Sequence, residues 1–265
     1  MQTEPASQRG ASLDEEAVAR ALHEVYVPGA ATRLRKEEAQ KVRELVPLFA
    51  EVAAAVRRLG SARELVLVDA AAGRGYVSLL SSLLVLVPAG RRFRWVVVER
   101  EERRARACRE LAERQGLGAR FEVHQGEVGD AALWPRAPDL AVALHACGPA
   151  ADAVIERAGA AGARALLLVP CCVSKSVAGH QRTQAAAAAL GVARQAPVRR
   201  RLLEALIASE RTLALEAMGY LVEVVEFCPP SVTPHNLLWR CRWLGDVTRR
   251  RRAAEALAKL RAPPP

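Results

Sequence analysis

The stretch VALHACGPAAD (142–152) sets His145 and Cys147 two positions apart where an apolar run gives way to Pro149. A second apolar run ends in PCCVSK (170–175), which carries Cys171 and Cys172. An imidazole, with an unperturbed pKa of about 6.5, is suited to take a proton from a hydroxyl or an amine. A cysteine thiolate is a nucleophile. Together His145, Cys147, Cys171 and Cys172 also supply the ligand types of a zinc site. Adjacent cysteines on an extended segment point in opposite directions, however, which makes tetrahedral closure awkward. The bland alternative is packing, since free cysteine behaves as a small, weakly polar core residue. That reading suits Cys108 and Cys241, which fall on apolar faces. We expect His145, Cys171 and Cys172 to be the catalytic candidates and no metal to be bound.

A second set of residues has the chemistry of a binding site. Asp69 closes the run ELVLVD and is followed by AAAGRGY, with Ala71, Gly73, Gly75 and Tyr76. Glu99 closes RFRWVVVE, and Gln125, Gly126 and Glu127 close FEVHQGE. Gly73 and Gly75 allow a sharp turn and a close backbone approach to a ligand that a Cβ would obstruct. A glycine-rich turn before a helix also serves dinucleotides, whose pyrophosphate sits on the helix N-terminus. Here the third glycine of G-x-G-x-x-G is absent, with Ser78 in its place, and the Asp69 carboxylate would repel a pyrophosphate. An acid near a cationic amino-acid group, an acid for ribose hydroxyls and an acid for an adenine amino group match S-adenosylmethionine, a sulfonium nucleoside without phosphates. The competing reading has Asp69 as a helix cap, Glu99 and Glu127 as solvated turn acids, and the glycines as plain turn residues. His145 borders the same expected site. His23 and His124 read as structural, and His235 in TPHN could face the acceptor.

Alternating elements must position these groups. RKEEAQKVRELVPLFAEVAAAVRRLG repeats apolar residues at helical spacing, with Pro47 as a kink or break and Gly60 as a stop. Five short apolar runs then alternate with helical segments, the signature of a parallel sheet covered on both faces. YLVEVVEF and NLLWRCRW follow one another with only a loop between them, which predicts an antiparallel finish at the sheet edge. The expected fold is α/β and Rossmann-like: a seven-stranded, mostly parallel sheet with an antiparallel last strand and helices on both faces. The expected division is an N-terminal helical extension (1–60), a central domain (61–245) and a basic C-terminal tail (246–265). In this order the ends of strands one to five share one edge, where open α/β sheets bind ligands.

With these residues in place, the chain over 61–245 resembles the class I S-adenosylmethionine-dependent methyltransferases. VDAAAGRGY matches the family's acid and G-x-G-x-G motif except that Ala71 replaces the first glycine. Glu99 and Glu127 resemble the acids after its second and third strands. The pairing of LHACG with PCCVSK is similar to a branch that includes the methyltransferase domain of the glutathione-S-transferase-C-terminal-domain-containing protein. It is more distantly similar to eukaryotic acceptor-stem tRNA 2′-O-methyltransferases. The resemblance implies S-adenosylmethionine as cofactor and leaves RNA and protein both open as acceptors. RNA cytosine-C5 methyltransferases also place cysteines at these two strand ends, but their D-A-P-C-S-G pattern is replaced here by LHACG. The [DN]-P-P-[YFW] segment that serves exocyclic amino groups of bases is absent.

The chain of 265 residues is 51% hydrophobic with a net charge of +10, six cysteines and only 4% aromatic residues. The apolar content excludes a disordered protein, and no run reaches the ~20 residues of a membrane helix. The N-terminus lacks the apolar core of a signal peptide, so a cytoplasmic location with reduced thiols is expected. Basic residues cluster at Arg199, Arg200 and Arg201, at Arg249 and Arg250, and at Arg240 and Arg242. If these converge on the methyl-transfer edge, RNA is the natural acceptor (rRNA or tRNA), structured rather than single-stranded given the few aromatics. Solvated helix faces of arginine-rich composition are the rival explanation. A protein methyltransferase, or a catalytically silent binding module of the same fold, is the alternative function. A dehydrogenase is disfavoured by the missing glycine.

Overall fold

The computed structural model describes residues 13–27, 35–60, 63–170, 173–177 and 179–262. The strands are β1 (Leu65–Ala70), β2 (Phe93–Glu99), β3 (Phe121–Gln125), β4 (Leu140–Leu144), β5 (Ala165–Val169), β6 (Tyr220–Glu226) and β7 (Leu237–Trp243). They form one sheet in the order β3-β2-β1-β4-β5-β7-β6. β1 to β5 pair in parallel, β7 is antiparallel to both β5 and β6, and β6 therefore runs with the first five. The expected Rossmann-like α/β sheet is present. The antiparallel pair β6 and β7 finishes one edge of the sheet as expected, with β7 between β5 and β6. The order reverses at β1 and β4, where crossovers leave on opposite sides and open a crevice.

Both faces of the sheet are buried, and alternation divides the strand residues between two cores. Leu65, Leu67, Trp95, Val97, Leu140, Val142, Leu167 and Val169 belong to one. Val68, Ala70, Val96, Val98, Ala141, Ala143, Leu166 and Leu168 belong to the other. This is why the strands read as continuous apolar runs. The helices are α1 (Glu15–Tyr26), α2 (Lys36–Arg58), α3 (Tyr76–Ser81), α4 (Glu102–Arg114), α5 (Pro149–Ala161), α6 (His180–Ala189), α7 (Ala196–Ala217) and α8 (Val247–Arg261). α1, α2, α3 and α4 cover the first core; α5 and α7 cover the second.

The N-terminal helices are integral to the sheet's core. Val18, Leu22, Val25, Leu45, Phe49, Val52 and Val56 from α1 and α2 are buried with the strand residues. α2 continues through Pro47, without the break that the sequence allowed. The segment after Tyr76 is not one helix: α3 opens into a π-helical turn at Ser82–Leu86. There the buried Ser82 hydroxyl donates to the Ser78 carbonyl at 2.6 Å and accepts from Trp95 Nε1 at 3.0 Å. α6 is an element that the sequence reading did not contain. The basic segment after 246 forms α8, which sits on α7, with Arg261 paired to Glu210 at 2.8 Å.

Candidate active site

β1 ends in a loop built around Asp69. Its carboxylate, 1% exposed, accepts from the Ser78 N–H at 3.0 Å. Ser78 lies in the first turn of α3, whose N-cap is Gly75, so Asp69 caps this helix from inside. Burial pushes the Asp69 pKa up to about 6, against the hydrogen bonds from Ser78. Ala71, where the methyltransferase motif has glycine, adopts a left-handed φ of 56°. Gly73 follows at φ 61°, with no atom within 4 Å of where a Cβ would stand. Gly75, at φ 76°, has a different role from the expected one. A Cβ there would meet Cys108 Sγ at 2.4 Å, so this glycine lets α3 close onto α4 and its side-chain position does not face a ligand. Cys108 itself is buried, with its pKa pushed up to about 12 by burial.

Tyr76 stacks on Tyr26 of α1 with ring centroids 4.1 Å apart. The Tyr26 hydroxyl donates to the Arg74 carbonyl at 3.3 Å, and the Arg74 guanidinium lies 5.3 Å from the centre of the Tyr26 ring. A helix from the N-terminal segment thus fixes the glycine-rich loop.

Glu99, at the end of β2, is 5% exposed. Its two carboxylate oxygens accept from the backbone N–H groups of Gly73 at 2.7 Å and Glu101 at 2.9 Å. Glu127 lies exposed beyond β3. Two neighbouring cavities follow this edge and share Ala71, Arg104, His145 and Cys147 in their walls. One, of about 470 Å3, is also lined by Glu99, Gly126 and Glu127. The other, of about 430 Å3, is lined by Asp69, Gly73, Arg74, Tyr76 and Lys41. Gln125 is exposed and lines neither, so the strand-end contribution comes from the two residues after it.

His145, just past β4, sits on the wall between the cavities with a left-handed φ of 60°, a conformation unusual for a residue with a side chain. Its Nε2 lies 2.9 Å from Glu44 Oε2 of α2, and Lys41 Nζ donates to the same oxygen at 2.8 Å. Glu44 is 4% exposed. Burial alone would raise its pKa, but the hydrogen bonds and charges of His145 and Lys41 bring it below the ordinary value of 4.5. Sequence reasoning missed Glu44. A buried carboxylate on the apolar stripe of α2, beside Leu45, Leu48 and Phe49, was the available signal.

β4 and β5 are neighbours, so LHACG and the segment after β5 share an edge as expected. Cys171 and Cys172 lie outside the described residues. Cys147 is disulfide-bonded, which corrects the expectation that all thiols are reduced. Cys108, Cys228 and Cys241 are free and buried. His124 pairs with Glu122 at 2.9 Å, and His235 is exposed in the loop between β6 and β7. Among the described residues, no three His, Cys, Asp or Glu side chains gather as a metal-binding group.

The arginine clusters do not converge. α7 runs back from the ligand-binding edge to the start of β6, so Arg199, Arg200 and Arg201 in its first turns lie toward that edge. Arg199 donates to the Val192 carbonyl and Arg200 lies 3.8 Å from Glu204. Arg242 pairs with Ala165, the first residue of β5, at the opposite edge. Arg240 is bonded to Glu51, Arg249 lies 3.4 Å from Glu216, and Arg250 donates to the Ala217 carbonyl at 3.4 Å.

The doubly wound sheet opens a crevice at its switch point, with Asp69, Glu99 and Glu127 at or just after the ends of three successive strands. A family model described as a methyltransferase domain matches residues 40–178, more than half of the chain, and the chain belongs to that family. It is an S-adenosylmethionine-dependent methyltransferase. None of the curated proteins matches it in sequence. Among solved structures, the S-adenosylhomocysteine-bound methyltransferase PaMTH1 of Podospora anserina is 13% identical over 86% of this chain and 88% of that one, with a TM-score of 0.49. The precorrin-6y C5,15-methyltransferase of Geobacter metallireducens is 15% identical over 84% and 96%, with a TM-score of 0.45. A SAM-dependent methyltransferase of Aquifex aeolicus is 14% identical over 79% and 97%, with a TM-score of 0.43. These likenesses carry no argument about acceptor or mechanism.

The walls of the two cavities fit S-adenosylmethionine. Gly73 leaves backbone open to a ligand, and Lys41, Arg74 and Arg104 are cations suited to its carboxylate. Bound there, its ammonium group would meet the Asp69 acid, and its hydroxyl and amino hydrogens would find acceptors in Glu99 and Glu127.

Proposed function

We propose that the protein methylates RNA, with His145 as the proton acceptor. The observation that carries the catalytic reading is the His145–Glu44 pair on the wall between the two cavities. Asp69, Ala71, Gly73, Tyr76, Glu99 and Glu127 hold the cofactor, which supplies an electrophilic methyl group on a sulfonium. An ionised Glu44 accepts only, so it holds a proton on His145 Nε2. Bound there, the cofactor would give its methyl group to a hydroxyl or amine of the acceptor, and His145 would take up the proton that this oxygen or nitrogen loses. Glu44 stabilises the imidazolium so formed, and is a positioning residue. Lys41 helps to keep Glu44 ionised. Holding acceptor and methyl in line supplies the rest.

The net charge of +10 supports RNA over protein as the acceptor. The test is transfer of labelled methyl from S-adenosylmethionine to separated RNA and protein fractions. Label in RNA is the expected result, and label confined to protein would overturn the RNA acceptor while leaving the cofactor site standing.

A further inference from the structure

A groove of about 440 Å3 lies at the edge of the sheet opposite the active site. Ala55 and Arg58 of α2, Arg164 before β5, Leu221 of β6, and Arg242 and Trp243 of β7 form its walls. Two of its cations are neutralised: Arg240 by Glu51 and Glu223, Arg164 by Asp139 at 3.2 Å. Arg58 and Arg242 are exposed and make no ion pair among the described residues. Trp243 is 53% exposed, whereas the other three tryptophans, Trp95, Trp134 and Trp239, are buried. Its indole is nonetheless held in place. Added Cβ atoms on Gly219 (φ 103°) and Gly245 (φ 69°) would meet the ring at 3.1 and 3.0 Å. Two glycines in left-handed or similar conformations therefore leave room for an indole that faces solvent. Nothing in the core requires it, because Trp239 and Tyr220 already fill the layer beneath.

Resting on the RNA reading above, we infer that this groove anchors a single-stranded segment of a structured RNA, with Trp243 stacking on a base and Arg58 and Arg242 on phosphates. An exposed aromatic ring at the rim of a groove whose walls carry arginines without ion pairs among the described residues is the chemistry of such sites. α2 gives the scale. Glu44 and Arg58 lie 14 residues apart on one helix, about 21 Å at ~1.5 Å per residue. An acceptor that engages both ends of α2 is thus macromolecular, and the groove selects RNA that extends across this face.

The solvent-exposed indole gives the readout. The full chain is titrated with an RNA hairpin carrying a single-stranded tail, and tryptophan fluorescence is followed. Binding should quench the emission. W243A should remove most of the quench and weaken binding roughly 5- to 150-fold, the range for one lost stacking contact. R58E/R242E should lower the slope of log affinity against log salt by about 1.4, from two phosphate contacts at ~0.7 each. All variants should keep the wild-type thermal shift with S-adenosylhomocysteine, which reports an intact fold and cofactor site. RNA binding that is unchanged in both variants would overturn the groove and leave the RNA reading standing. A wild-type protein that binds no RNA would overturn that reading, and the groove with it.

Discussion

Asp69 and Glu44 are buried carboxylates with opposite energetics. Asp69 is held above its ordinary pKa, so the folded state binds a proton more tightly than the unfolded one. Its contribution to stability is lost as pH rises from 3.8 to about 6. Asp69→Asn keeps an acceptor for the Ser78 N–H without the buried charge. It should stabilise the protein at pH 7 by up to on the order of 3 kcal/mol, while weakening S-adenosylhomocysteine binding. Denaturant midpoints and ligand titration read both effects, and a destabilised variant would refute the account. Glu44 is held below its ordinary value, so its contribution is present above pH 4.5 and lost as pH falls through the folded value. Glu44→Gln should therefore be less stable than wild type at pH 7, and the two stability curves should converge on acidification. It should also lower kcat by ~10-fold or more without a matching rise in KM, and His145→Ala by ~100-fold or more. Ala71, at φ 56°, is strained. Ala71→Gly should raise stability by roughly 0.5–1 kcal/mol, the balance of left-handed strain relieved against unfolded-state entropy gained.

At the scale of elements, the active site depends on helices outside the motifs. α2 brings Lys41 and Glu44 to His145, and α1 brings Tyr26 to the glycine-rich loop. The periodicity of α2 was legible, but the partner of Glu44 lies 101 positions away and follows only from how α2 crosses the sheet. Tyr26→Ala should cost roughly 3–5 kcal/mol by removing a buried aromatic, and should also weaken S-adenosylhomocysteine binding by loosening the loop. If cofactor affinity is unchanged, α1 is scaffold only. α7 supports the other side. Arg211, 4% exposed, donates to Asp152 Oδ1 of α5 at 2.7 Å and to the Gly148 carbonyl at 3.3 Å. Arg211→Ala should thus be destabilising by about 3 kcal/mol, since a buried bridge loses one partner. Gly148 follows Cys147 directly, so the same arginine ties the His145 loop to α7.

Across the whole molecule, one sheet separates two edges with different chemistry. The carboxyl edge carries the acids, His145 and the two cavities, and the opposite edge carries Arg58, Arg242 and Trp243. S-adenosylhomocysteine at ~100 times its dissociation constant should add about 2.7 kcal/mol, a rise in Tm of roughly 5–10 °C, and NAD should add none. A shift with NAD instead would contradict the cofactor site. Alternating apolar runs and helices sufficed to read the parallel sheet from sequence, and the glycine-rich turn after Asp69 and the acids Glu99 and Glu127 lie at its carboxyl edge as expected. Those signals are local, because strand and turn chemistry repeats over a few residues. Sequence did not separate Gly75, which accommodates Cys108, from Gly73, which faces the cavity, since both have the same conformational freedom. Nor did it locate Glu44 beside His145, or place the arginines of β7 away from the methyl-transfer edge. Those outcomes depend on contacts between residues far apart in the chain, which only the crossing of helices over the sheet determines.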